Sequence, residues 1–94
     1  MTNYEKGRAG EYEVKRLMEN RGYYVFRTAG SHSPVDLICL KQDYGVQPPV
    51  LIQVKRGIKP SPGNWRSLLE LRVTADKMVF YREDGKEWSK IALQ

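Results

Sequence analysis

The chain has a single cysteine, a single histidine and no apolar run approaching the roughly 18 residues that a membrane-spanning helix needs. Each scarcity removes a class of function. Cys39, alone in an apolar stretch, forms no disulfide framework and no thiol cluster at zinc-ligand spacing, which fits a reducing cytoplasm. His32 lies in a Gly-Ser loop with no second His or Cys near it, so a zinc site lacks its ligands. Ser31 has no Ser-His-Asp partner set beyond the adjacent His32, and a phosphate hydrogen bond is the better use for its hydroxyl. The N-terminal "MTNYEKGRAGEYE" has no apolar core of the kind a secretory leader carries, and neither internal repeats nor low-complexity tracts occur. The expectation is an intracellular protein without membrane segments.

What the chain does have is positive charge. Its 94 residues include 16 Lys and Arg against 11 Asp and Glu, for a net charge of +5. Such a balance favours an anionic partner, nucleic acid ahead of an anionic membrane. At this length a single layered domain over residues 1–94 is expected, with a modest core.

Thr2 followed by Glu5 has the form of a capping box, and the breaker-poor stretch from Asn3 to Asn20, ended by "NRGY", predicts a helix. Tyr4, Gly7, Gly10, Val14, Leu17 and Met18 share one face of it, with Glu11 in their midst. Gly7 and Gly10 would let another backbone come close. "YYVFRT" (23–28), "VDLICLK" (35–41), Val50 to Arg56 and "DKMVFYR" (76–82) read as strands. "NWRSLLELR" (64–72) reads as a helix capped by Asn64, and Asp84-Gly85 as a two-residue hairpin into a fifth strand through Trp88 and Ile91. The order α, three strands, α, two strands predicts an α/β (α+β) domain, a central mixed sheet of about five strands flanked by helices.

Three elements carry polar groups where core is expected. In "PVLIQVKRG" the side chains alternate, so Leu51, Gln53 and Lys55 point one way and Val50, Ile52 and Val54 the other. Asp36 enters the sheet behind the "SHSP" loop, and Glu11 comes from the apolar face of the first helix. Each has an ordinary reading: Glu11 paired with a Lys or Arg, Asp36 capping a turn, Gln53 serving a backbone group, Lys55 snorkelling to water. Together they suggest a shared cation, because an unpaired buried carboxylate costs on the order of several kcal/mol. Mg²⁺ takes oxygen ligands, and Asp36, Glu11 and the Gln53 amide oxygen would provide them. Lys55 beside them could orient or deprotonate a water, or stabilise charge on a phosphate. The chemistry is metal-dependent phosphodiester hydrolysis, with Lys6, Arg8, Arg27, His32, Arg56, Lys59 and Arg66 as candidate DNA contacts.

"KGRAGEYEV" (6–14), "GYYVFRTAGSHSPVDLI" (22–38) and "LIQVK" (51–55) resemble, in order and spacing, the motifs of the PD-(D/E)XK nuclease superfamily, and more closely its archaeal-type Holliday-junction resolvases, small phage and bacterial relatives included. The resemblance covers roughly residues 4–56. It implies a restriction-endonuclease-like sheet, a Mg²⁺ cofactor that Mn²⁺ can replace, branched double-stranded DNA as substrate and a homodimer that makes paired nicks. It assigns the catalytic set to Glu11, Asp36, Gln53, Lys55 and Ser31, with Asp36, Gln53 and Glu11 on the metal and Arg27 and Ser31 near the scissile phosphate. Two departures stand out: the family's Pro-Asp is here Pro34-Val35-Asp36, and Gln53 replaces an acidic residue, removing a charge. Trp65, Leu68, Leu69 and Leu71 offer either core or dimer contacts. The competing readings are a nuclease of the same superfamily acting in repair, nicking or restriction, a non-catalytic DNA-binding module, and a small basic interaction domain.

Overall fold

The computed structural model describes residues 2–29, 33–42 and 45–93. Helix α1 spans Asn3–Asn20. The Thr2 hydroxyl oxygen accepts the Glu5 N–H at 3.1 Å, satisfying one of the free donors of the first turn. The helix ends because Gly22 takes φ +90°, a left-handed value that only glycine adopts without strain.

Five strands follow in a single sheet of order β1-β2-β3-β4-β5: β1 Tyr23–Arg27, β2 Leu37–Lys41, β3 Val50–Gly57, β4 Asp76–Glu83 and β5 Ser89–Leu93. All neighbours are antiparallel except β3 and β4, whose parallel pairing needs a crossover. That crossover carries helix α2, Pro62–Leu69. The expected α+β mixed sheet with flanking helices is what forms.

Alternation along β3 divides the core. Val50 and Ile52 join Val14 and Met18 of α1, Val25, Leu37, Cys39 and Phe80 on one face. Leu51 joins Val35, Leu68 and Val79 on the other, under α2. Leu37, Ile52, Leu68, Val14 and Val79 are wholly buried, and truncating any of them to Ala would cost roughly 2–5 kcal/mol for the larger side chains. Leu68, Trp65 and Leu71 are therefore core material, leaving Leu69 exposed. On the α2 side of β1 and β2, Ile38 packs into the core under α2 while Tyr24, Phe26 and Leu40 are exposed.

Local details depart from the sequence expectations. Helix α2 begins two residues before Asn64, with Ser61 as its cap and Pro62 in the first turn, where a missing N–H costs nothing. Asn64 acts from inside the turn, its Oδ1 accepting the Ser61 N–H at 2.8 Å. Strand β2 starts at Leu37, because Val35 donates to the Ser33 hydroxyl and its carbonyl accepts from Thr28. Tyr81 pairs with Ser89, one residue out of step with a two-residue hairpin at Asp84-Gly85, so Trp88 falls outside the strand. Its ring instead covers Gly10: a Cβ there would meet Trp88 at 3.3 Å and the Arg56 and Val54 side chains just beyond. The close approach at Gly10 is thus made by side chains, and Gly7 faces open space. Tyr4, placed on the apolar face by periodicity, is 72% exposed.

Candidate active site at the strand fork

Strand β3 is eight residues long, but β2 runs beside it only as far as the Leu37–Ile52 pair. Past that point β3 keeps its parallel neighbour β4 and loses its antiparallel one. The sheet forks there. One step beyond the last pair, Asp36 stands opposite Gln53, with the Asp36 N–H donating to the Ile52 carbonyl at 2.8 Å. Asp36 Oδ2 then accepts the Val54 N–H at 2.7 Å, a donor that the departed strand would have served. The carboxylate is fixed by the backbone it repairs.

Burial raises the Asp36 carboxyl above its usual range against the opposing effect of the Val54 N–H bond. The negative charge of Glu11 adds to the rise, and the positive charges of Lys55 and Arg27 counter it. Glu11, Arg27 and Asp36 line one open cleft of about 510 Å³ between the N-terminal half of α1 and the approach to β2. Gln53 stands across from Asp36 and the Lys55 charge acts on its carboxyl, but of the predicted set only Glu11, Arg27, Arg8 and Asp36, among the described residues, line the cleft itself. Ala29, on the wall of that cleft, has φ 33°, an uncommon backbone for a residue with a Cβ, of the kind that clusters at functional sites.

Glu11 is engaged. Arg27 Nε donates to its Oε1 at 2.8 Å, both side chains being mostly buried. Arg27 Nη1 also reaches the Tyr12 hydroxyl at 3.3 Å, with its guanidinium carbon 5.0 Å from the Tyr12 ring centroid. Lys55 is half-buried and, among the described residues, forms no ion pair.

Gln53 is 7% exposed, and its Oε1 is a buried side-chain oxygen without a hydrogen-bond partner among the described residues. Buried polar atoms are nearly always satisfied, so an orphan opposite a carboxylate points to an absent partner. The donors at the fork are two carboxylates and an amide oxygen, all hard oxygen ligands that fit Mg²⁺ or Mn²⁺. Among the described residues no group of three His, Cys, Asp or Glu lies within reach of one ion.

The remaining candidates separate. Ser31 and His32 lie outside the described residues. Arg8 lines the cleft beside Arg27. Lys6 is tied to Asp84 at 3.0 Å, and Arg56 lies 3.5 Å from Glu13, a carboxylate that also accepts from Arg82 and Trp88. Lys59 and Arg66 are exposed, Arg66 on the helix opposite α1. The sequence reading missed Tyr12 and the Glu13 hub. Tyr12 adjoins Glu11 and so shares its end of the helix, whereas the Glu13 contacts join residues 69 and 75 positions apart.

No family model and no curated protein matches the chain. A solved structure does: Hjc of Archaeoglobus fulgidus, a Holliday junction resolvase from an archaeal hyperthermophile, aligns with a TM-score of 0.66 at 18% identity. The alignment covers 87% of this chain and 72% of the resolvase. The chain has the fold of Hjc.

Proposed function

We propose that the chain is a metal-dependent, structure-selective DNA endonuclease, a Holliday-junction resolvase that hydrolyses phosphodiester bonds in four-way junctions by paired, symmetric nicks. The observation that carries the reading is the juxtaposition at the fork: Asp36 anchored on the Val54 N–H, opposite a buried Gln53 whose oxygen has no partner among the described residues, near Lys55, in the fold of a resolvase.

Asp36, Gln53 and Glu11 would hold Mg²⁺, with Mn²⁺ as a substitute. Bound there, the ion would neutralise charge on the scissile phosphate and acidify a water. The protein's own groups do the rest. Asp36 holds its orientation through the Val54 N–H. Arg27 neutralises Glu11 in the free protein and, on turning from it to an incoming phosphate, frees that carboxylate. Lys55, free of a competing ion pair among the described residues, stabilises charge on the phosphate or orients the attacking water. Arg8 extends the positive wall of the cleft, and the net charge of +5 supports a polyanionic substrate.

A homodimer supplies the two equivalent sites that symmetric nicking needs. The exposed Tyr24, Phe26 and Leu40 support such an association, since clustered exposed aromatics mark interaction surfaces. The buried Cys39 thiol suits a reducing cytoplasm. No helix of the described residues is long and apolar enough to cross a membrane.

The test uses end-labelled four-way junction and matched linear duplex, each with Mg²⁺ or EDTA, and Asp36→Ala in parallel. Paired nicks in the junction alone, lost with EDTA and in the variant, are the expected result. Mg²⁺-dependent cutting of both substrates would replace the resolvase by a general nuclease of this fold. The neutral Gln53 favours one second reading, a non-catalytic DNA-binding module, which binds the junction and cuts nothing in any metal.

A further inference from the structure

The α1 surface beside the cleft carries tyrosines that the chemistry at the fork does not use. Tyr4, Arg8 and Tyr12 stand four residues apart, each step turning about 40° around the helix, so they form one slowly drifting stripe. Tyr4 is 72% exposed and Tyr12 50%, although tyrosines of a small domain bury their rings where they can. Each ring carries a guanidinium over one face: Arg8 lies 5.5 Å from the Tyr4 centroid and Arg27 5.0 Å from that of Tyr12. Each ring therefore has a cation over it while much of its surface stays exposed. Arg8 makes no ion pair among the described residues, so its charge is available to a phosphate.

Tyr4, Arg8 and Arg27 are also walls of the cleft that contains Asp36. From Tyr4 to Tyr12 the helix rises about 12 Å, the length of three to four stacked nucleotides at about 3.4 Å each. Exposed aromatic faces alternating with Arg along a groove are the chemistry of single-strand binding: bases stack on the rings while the cations follow the backbone. A fully paired duplex keeps its base faces covered and offers nothing to stack.

We infer that the Tyr4-Arg8-Tyr12 stripe is a binding track for an unpaired DNA strand leading into the cleft, so the preferred substrates are branches with single-stranded character, such as forks and opened junctions. This inference rests on the nuclease reading of the same cleft. The occupant follows from exposed tyrosine rings beside Arg8, which makes no ion pair among the described residues.

The test is equilibrium binding in EDTA, where no cutting occurs, to a fork with one unpaired arm, to the blunt duplex and to a closed four-way junction, for wild type, Tyr4→Ala and Tyr4→Phe. Because Tyr4 is largely exposed, Ala should leave folding intact, and circular dichroism checks it. The wild type is expected to prefer the fork. Tyr4→Ala should weaken fork binding by at least about fivefold, the lower end of one base–aromatic stack, while changing duplex binding little. Tyr4→Phe keeps the ring and should bind like wild type. Equal wild-type affinity for fork and duplex, or a Tyr4→Ala fork affinity equal to wild type, would overturn the track. Cleavage of wild type with Mg²⁺, run beside it, separates the two ideas. Cutting without fork preference removes the track alone, whereas fork preference without cutting on any substrate removes the nuclease and leaves a strand-binding protein.

Discussion

Replacing Gln53 by methionine should make the protein more stable and less able to cut DNA. Gln53 sits in the middle of β3, and its Oε1 has no hydrogen-bond partner among the described residues. Leaving such an atom dry costs on the order of 1–3 kcal/mol, and Met has a similar length, no polar oxygen and enough flexibility to fill the same space. Taking the lower end, Gln53→Met should gain about 1 kcal/mol in EDTA, a rise in Tm of roughly 4–8 °C for a domain of this size. Urea unfolding with an unchanged m value would establish that the gain belongs to the folded state. Added Mg²⁺ reverses the ranking: wild type gains stability by mass action, whereas the variant, lacking one donor, gains less. Its kcat/KM should fall by at least about tenfold, since even groups that only support metal ligands are worth 10–100-fold. A variant less stable than wild type in EDTA, at equal m, would refute the reasoning. The Oε1 atom would then be satisfied in solution, and no polar gap at the fork would be waiting for a cation.

Other outcomes follow from single residues. The folded protein raises the Asp36 carboxyl above 3.8, so it binds this proton more tightly than the unfolded chain does. In EDTA this group's contribution therefore lowers stability as pH climbs from 3.8 through the raised value. Asp36→Asn should remove that fall, its advantage over wild type growing across the window and staying constant above it, as read by urea midpoints against pH. Burial lifts the Cys39 thiol to about 11, so a thiol reagent at pH 8 should leave the folded protein unmodified and react at once in urea. A Cβ at Gly7 meets nothing within 4 Å, and Gly7→Ala should add roughly 0.5–1 kcal/mol to helix and protein stability. Because Gly7 lines the cleft, the same variant should bind branched DNA less tightly if backbone passes there, which a parallel titration would read.

What was legible in the sequence is what local chemistry decides. Thr2 and Gly22 end α1 where their residue types demand, and "VLIQV" is a strand because no other element buries so many β-branched residues in so short a run. Glu11, Asp36 and Gln53 stood out for a related reason, as polar groups on surfaces the apolar pattern assigns to the core. What a residue needs can be read this way, but not what satisfies it. The positive charge beside Glu11 comes from Arg27, 16 positions on, and the bond that orients Asp36 comes from the Val54 N–H, 18 positions on. Each depends on a register that pattern alone leaves free by one residue. The same freedom displaced the β4–β5 hairpin by one, moving Trp88 out of its strand and onto Gly10, where its indole joins Arg56 and Arg82 around Glu13. Arg56 could not be separated from Arg27 as a DNA contact by residue type, since both are arginines at strand ends. It was separated by parity, which sends Arg56 with Val54 and Ile52 to the α1 face behind the fork, while Lys55 stays with Gln53. Two adjacent cations of one strand are thus divided between structure and chemistry by a single pleat. Exchanging their places, as Lys55→Arg with Arg56→Lys, should cost both the Glu13 contact and the reach of the lysine.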